Sequence, residues 1–263
     1  RRSSDLSLQD CITLNLNLRC ASQVLFSLME FRAHNANDVY DNLLGITWEE
    51  LIAPEGYFSI SSNVSNETIS NNLFANVKVK DAIADRFRSK TGKRPNSGPE
   101  LHGVVVHLYW KDDQAEIFMD TSGETLSKHG YRKIPGKAPM LESLAAATIL
   151  AGNWNRRSAF INPMCGSGTL AIEAALIATN RRPGLFRNNY AFMHILGYDE
   201  NIYKQAIAKL EEQIINVPGL QIIATDISED ADIVEQAGFK PSGTAWLAER
   251  QADASAIEGL ACS

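Results

Sequence analysis

Read for apolar and polar positions alone, the chain changes character near its middle. "CITLNLNLRCASQVLFSLMEF" (11–31) alternates and then runs apolar, which predicts strand. "NANDVYDNLLGITWEELI" (35–52) shifts to helical spacing, with Val39, Leu43 and Leu44 on one face and a cap near Asn37 or Asp38. Pro54-Glu55-Gly56 then turns the chain. "YFSISSNVS" has strand character, and "NNLFANVKVKDAIADRFRSKTGKRP" (71–95) predicts a long helix with Phe74, Val77, Ile83 and Phe87 inward. "LHGVVVHLYWKDDQAEIFMDTSG" (101–123) reads as a hairpin around Lys111-Asp112-Asp113. Helix, strand, helix, hairpin describes an α+β module.

The second half has a different rhythm. "SAFI" (158–161) ends an apolar strand, and "TLAIEAALIA" (169–178) is apolar at helical spacing; between them stand Asn162, Pro163, Cys165, Gly166, Ser167 and Gly168. Ser167 or Thr169 is placed to cap the helix. Helix N-termini carry unpaired N–H groups and the positive end of the dipole, and glycines let a ligand approach the backbone. A ligand with oxygens fits such a junction, and so does an ordinary tight βα turn. "LQIIATDISEDA" (220–231) supplies another apolar strand, ending at Asp226.

Composition frames this pattern. With 263 residues and 44% hydrophobic content, the chain suffices for one large or two medium domains. No apolar run reaches the length of a membrane span, and "RRSSDLSLQD" lacks the apolar stretch of a signal peptide, so a cytoplasmic location is expected. Cys11, Cys20, Cys165 and Cys262 form no C-x-x-C pairs, so free thiols and no metal site are expected. Net charge is -6, yet Lys78, Lys80, Arg86, Arg88, Lys90, Lys93 and Arg94 face only Asp81 and Asp85 between positions 78 and 94. This patch suits RNA phosphates, and it would serve equally as a solvated helix face.

The combination of "VKVKDAIADRFRSKTGKRP" with "VVVHLYWKDDQAEIFMDTSGETLSKHGYR" resembles a THUMP domain. With "APMLESLAAATILAGNW", "NPMCGSGTLAIEAA" and the insertion "RRPGLFRNNYAFM" (181–193), the chain resembles the THUMP-containing RNA methyltransferases, nearest the bacterial 23S ribosomal RNA guanine-N2 methyltransferases. The resemblance implies an N-terminal segment over 1–34, an RNA-binding THUMP domain over 35–123 and a Rossmann-like class I methyltransferase domain over 124–263. It implies S-adenosylmethionine as cofactor, held by Asn162, Pro163, Cys165, Gly166, Ser167, Gly168 and Thr169. Asp226 would take the ribose hydroxyls and Asp253 the adenine amine. Gly168 to Asp226 is 58 positions, far beyond the roughly 20 of a dinucleotide fingerprint. Asp226 could otherwise be a helix N-cap, and Asp253 the start of a capped surface helix.

The family lines the methionine end of the cofactor with the stretch Ser122, Gly123, Glu124, Lys128, His129, Gly130, Tyr131 and Arg132. His129 in that linker is expected to be exposed and not catalytic. The N-P-P-Y-like motif that holds the target amine in the family is absent, so the catalytic residues are not named by this sequence. The chain lacks an initiator Met and ends at "GLACS" near where the catalytic strand is expected. It therefore reads as a fragment of a longer enzyme, with RNA affinity, weak cofactor binding, little turnover and an unpaired, aggregation-prone sheet edge. A transfer RNA guanine-N2 methyltransferase and a non-catalytic RNA-binding module remain as alternatives, with a DNA adenine methylase less favoured. The target nucleotide and oligomeric state are not written in the sequence.

Overall fold

A computed structural model describes residues 7–68, 71–132, 140–226, 240–242 and 245–249. The chain divides into two compact units, one of Arg1–Asn15, Gln23–Thr125 and Asn189–Tyr203, the other of Leu16–Ser22, Leu126–Asn188 and Lys204–Ser263.

In the first unit the helices are α1 (Leu8–Asn17, all but its last two residues), α2 (Ala36–Leu43) and α3 (Asn72–Thr91). The strands are β1 (Leu25–Arg32), β2 (Tyr57–Ser65), β3 (Asn96–Ser97), β4 (Val104–Lys111) and β5 (Gln114–Asp120). They form one sheet in the order β1-β5-β4-β2-β3. β1, β5 and β4 are antiparallel neighbours, and β2 runs parallel to both β4 and β3. Thus β1, from the segment before position 35, is the edge strand of this sheet. Alternation along β4 sends Val104, Val106, Leu108 and Trp110 into the core, where Trp48, Phe58, Ile83 and Phe87 are also fully buried. Burying each such side chain contributes roughly 1.5–3 kcal/mol.

Three expectations are corrected here. "CITLNLN" is helical: Cys11, Ile12, Asn15 and Leu16 are the buried positions, and buried Asn15 made the run look alternating. Its Nδ2 donates to the Cys11 carbonyl and Thr121 Oγ1, each at 2.8 Å, and its Oδ1 accepts from Ser122 Oγ at 2.7 Å. The cap of α2 is Asn35, whose Oδ1 accepts from Asn37 N and Asp38 N while the Asp38 carboxylate reaches back to Asn35 N. In α3, Ile83 and Phe87 point inward, but Phe74 and Val77 are exposed. The inward stripe is Ala75, Val79, Ala82, Ile83 and Phe87.

Residues 189–203 belong to this unit although they follow the glycine loop in sequence. Tyr190 and Phe192 are fully buried and stacked with centroids 5.0 Å apart. Phe192 N donates to the Thr121 carbonyl at 3.0 Å and Leu196 N to the Leu51 carbonyl at 3.0 Å.

The second unit contains α4 (Glu142–Ala151), α5 (Thr169–Ala178), most of α6 (Glu200–Glu212), and strands β6 (Phe160–Asn162), β7 (Gln221–Thr225), β8 (Lys240–Ser242) and β9 (Ala245–Glu249). The sheet order is β6-β7-β9-β8, with β6 and β7 parallel and β9 antiparallel to both β7 and β8. Ala146 and Ile149 of α4, Ala171, Ala174 and Ile177 of α5, and Ile222 and Ala224 of β7 form its core. α5 is apolar nearly all round because it is buried nearly all round. Among the described residues no helix is long and apolar enough to cross a membrane, no group of His, Cys, Asp and Glu could hold a metal ion, and Cys11, Cys20 and Cys165 are free thiols.

Candidate functional site

The strand–glycine–helix junction is formed by the end of β6, the loop 163–168 and the first turn of α5. Gly166 (φ 51) and Gly168 (φ 73) both adopt the left-handed conformation that glycine alone takes without strain. A Cβ built on Gly166 would meet nothing within 4 Å, so this glycine faces open space. Gly168 itself is the N-cap of α5, and no side chain caps the helix. The expected capping by Ser167 or Thr169 does not occur; their hydroxyls lie 3.2 Å from each other.

Parallel pairing of β6 with β7 brings Asp226 to this loop across the long sequence gap. Gly166 N donates to Asp226 Oδ2 at 2.7 Å, Cys165 N to the Thr225 carbonyl at 2.9 Å, and Thr225 Oγ1 to the Pro163 carbonyl at 3.0 Å. Asp226 is thus a partner of the loop. A carboxylate offers about four lone-pair directions, suited to both N–H and hydroxyl donors. Asn162 is buried, and its Nδ2 has no hydrogen-bond partner among the described residues. A buried N–H donor, an acceptor carboxylate and an open glycine together suit a ligand that presents both oxygens and hydroxyls. Burial, and then the Asp226 carboxylate, push the Cys165 thiol above its usual range, so it remains protonated and is no nucleophile. Asp253 lies outside the described residues.

Behind the loop is a set of buried polar groups that pattern reading placed wrongly. His129 was expected in solvent, but it is 1% exposed. Its Nδ1 lies 2.6 Å from Glu173 Oε1 and its Nε2 3.1 Å from the Arg19 carbonyl. Glu173, on α5, is fully buried, with Arg19 Nη1 3.9 Å from its other oxygen. Arg132 donates to Thr169 Oγ1 at 2.8 Å and lies 3.6 Å from Glu142 Oε1. Burial and then the Glu173 carboxylate raise the Tyr131 phenol well above its ordinary range, so it stays protonated. The signal in the sequence was Glu173 itself, one charge inside "TLAIEAALIA".

The basic patch on α3 is smaller than its charge count. Arg86 is engaged by the Glu49 carboxylate at 2.6 Å, Arg88 by Asp85 at 3.0 Å and Lys93 by Glu55 at 2.6 Å. Lys78 Nζ meets only the neutral Asn37 Oδ1, at 3.1 Å, and the faces of Tyr40 and Phe74. Among the described residues Lys78, Lys80, Lys90 and Arg94 form no ion pair, although Lys90 is near enough to Glu49 to help hold its carboxyl low.

Comparison with known proteins finds two family matches. The THUMP domain family matches residues 33–120, and the family described as "RMKL-like, methyltransferase domain" matches residues 129–254. The chain is 38% identical over 195 residues to the ribosomal RNA large subunit methyltransferase K/L of Buchnera aphidicola subsp. Schizaphis graminum. It is 35% identical over 215 residues to the protein of the same name from Buchnera aphidicola subsp. Acyrthosiphon pisum. These matches cover 74% and 81% of this chain but 28% and 30% of the relatives, so the chain spans under a third of the length of the curated relatives it matches. Among solved structures, SMU.472, described as a methyltransferase and complexed with SAH, is similar with TM-score 0.73 and 25% identity, covering 97% of this chain and 74% of its own. Residues 33–120 therefore belong to the THUMP domain family, and residues 129–254 to the RMKL-like methyltransferase domain family.

Proposed function

We propose that this chain carries the RNA-binding and cofactor-binding parts of an S-adenosylmethionine-dependent methyltransferase that forms N2-methylguanine in 23S ribosomal RNA. The observation that carries the reading is the Gly166–Asp226 contact, which joins an open left-handed glycine to the acidic end of the neighbouring strand. In doubly wound folds that position, outside the carboxyl ends of adjacent strands, receives nucleotide-like ligands. The names of the curated relatives, and the SAH bound to SMU.472, support the substrate and the cofactor.

When bound, the cofactor supplies a methyl group on sulfonium sulfur, open to in-line displacement by an amine. The contribution of this chain is placement. Asp226 accepts the ribose hydroxyls, Asn162 and the loop from Pro163 to Gly168 hold the polar end above the start of α5, and Thr169 is fixed by Arg132. Asp253 is assigned to the adenine amine by family resemblance. Lys78, Lys80, Lys90 and Arg94, with Arg88 and Lys93 at the exposed rim, take RNA phosphates, and Arg86 orients the helix through Glu49. No N-P-P-Y-like motif occurs in the sequence, so the groups that hold the target amine are not among these residues, and turnover by this chain alone is expected to be slow.

The test is calorimetric titration of S-adenosylhomocysteine into the wild-type chain and Asp226→Ala, followed by mass spectrometry of ribosomal RNA from cells complemented with each gene. Binding and an N2-methylguanine mark that both disappear with Asp226→Ala support the reading. A mark on transfer RNA instead would move the substrate to the alternative class, and an intact mark in Asp226→Ala cells would overturn the cofactor assignment.

A further inference from the structure

The first turn and a half of α3 presents large apolar side chains to water. Leu73 is 68% exposed, Phe74 51% and Val77 44%, one and four positions apart and hence on adjacent faces of the helix. This is not core facing outward by accident of register, because the same helix buries a complete separate stripe. Scattered exposed apolar residues need no explanation, but three large ones within five positions do.

The surroundings point to an occupant. Lys78 Nζ stands 5.8 Å from the centroid of Phe74, and Lys80 follows Val77 by one turn. Neither ammonium is ion-paired among the described residues, whereas Arg86, Arg88 and Lys93 further along are all engaged by carboxylates. Asp85 accepts from the Tyr40 hydroxyl at 2.9 Å and from Arg88, and Asp81, one residue after Lys80, forms no ion pair with either lysine among the described residues. The first turn of α3 contains no acidic residue to repel an anion. An exposed aromatic ring with one ammonium group beside it and a second two residues further along the helix, neither ion-paired among the described residues, has the chemistry of a surface for an unpaired nucleic-acid strand, in which a base stacks and nearby phosphates are neutralised.

We propose that Leu73, Phe74, Val77, Lys78 and Lys80 form a landing surface for an unpaired RNA segment, with one base stacked on Phe74. The proposal rests on the RNA-binding reading above and adds that single-stranded RNA is what this end of the helix takes. A regular duplex keeps its bases stacked inside and offers only phosphates to the lysines. Lys90 and Arg94 at the far end of the helix, about 18 Å beyond Lys78 at the helical rise, contact backbone without distinguishing strand state.

Fluorescence anisotropy with labelled oligouridine and with a labelled RNA duplex of equal length tests this on the full chain. Phe74→Ala is expected to weaken oligouridine binding by about 5- to 150-fold, the span of base–aromatic stacking, and to change duplex binding little. Phe74→Trp is expected to restore binding, and Phe74→Leu, which keeps the apolar area without the ring face, is not. Lys78→Gln with Lys80→Gln is expected to lower the salt slope for the single strand by about 1.4, from two phosphates at about 0.7 each. Because Phe74 is half exposed, the variants are checked for unchanged thermal midpoint. Wild type binding no RNA would overturn both readings. Wild type binding RNA with Phe74→Ala and Phe74→Leu equal to it would overturn this one alone. Sedimentation showing a self-association that Phe74→Ala abolishes, with RNA affinity unchanged, would reassign the surface to a second copy of the chain.

Discussion

Replacing Glu173 by alanine is expected to be the most damaging single change in the second unit that touches no proposed ligand contact. Glu173 and His129 have 0% and 1% exposure, so neither exchanges its partner for water. A carbonyl only accepts, so the 3.1 Å contact with the Arg19 carbonyl puts a hydrogen on His129 Nε2. The Glu173 oxygen 2.6 Å from Nδ1, with a guanidinium 3.9 Å from its other oxygen, fits a carboxylate accepting a second ring hydrogen. Alanine leaves a buried ring N–H without an acceptor and Arg19 without its counter-charge. Breaking a buried pair from one side costs about 3–5 kcal/mol, or a fall in Tm on the order of 10 °C for a chain of this size. Glu173→Gln keeps an acceptor at the same place and is expected to cost roughly half as much. Replacing both partners by apolar residues of similar volume, His129→Phe with Glu173→Met, is expected to recover most of the loss. The assay is hydrogen exchange of the α5 amides, which isolates this unit from the other, combined with a double-mutant cycle of His129→Ala and Glu173→Ala. A coupling energy of at least ~1.5 kcal/mol is expected; strictly additive losses would refute the pairing.

Other consequences are open to the same kind of measurement. Gly166→Ala is expected to cost stability by only about 1 kcal/mol of backbone strain, since its Cβ enters open space, while weakening S-adenosylhomocysteine binding at least tenfold by calorimetry. Burial holds the His107 imidazole below its ordinary range, so the neutral ring stabilises the fold above the unfolded value near 6.5 and that contribution is lost as pH falls through the folded value. Thermal melts of the wild type should therefore weaken from pH 7 to pH 5, and His107→Gln should flatten that dependence. Asp38 and Glu49 are held below the usual carboxylate range, the first chiefly by the His34 amide and the second by Arg86. Their contributions persist above the unfolded carboxylate range and disappear at still lower pH, where circular dichroism would report a second acid loss. Asn35→Ala removes the α2 cap and is expected to cost about 1 kcal/mol in urea unfolding.

Where backbone geometry dictates residue type, the sequence was readable. Gly166 and Gly168 stand at positive φ, so the loop was visible as letters, whereas the helix read over 71–95 stops at Thr91, capped by Gly92 at φ 68. The strand β7 and its terminal acid were visible for the same local reason. What was not legible depended on partners distant in the chain. Asn15 broke the helical period of α1 because its amide is satisfied by Thr121 and Ser122, more than a hundred positions away. His129 looked like linker because nothing local announces Glu173 as its partner. The seven cations between Lys78 and Arg94 counted as one patch until Glu49, Asp85 and Glu55 removed three of them. Propensity and period describe a residue against its neighbours, whereas burial of a polar group is decided by whoever satisfies it.

The same logic explains why the unit boundary is not a single cut in the chain. "RRPGLFRNNYAFM" reads as an insertion within the second half, yet from Asn189 onward its residues complete the core of the first unit. Tyr190 and Phe192 contribute two fully buried aromatic rings, and the backbone N–H groups of Ala191 and Phe192 are taken by the carbonyls of Ser122 and Thr121 at the end of the sheet. A truncation ending at Thr125 would strip those rings and leave those carbonyls to water. At roughly 1.5–3 kcal/mol for each buried aromatic, the loss is comparable with the whole stability of a marginal domain. The first unit is therefore not a separable N-terminal piece: its fold is finished by residues that the chain supplies only after it has passed through the glycine loop.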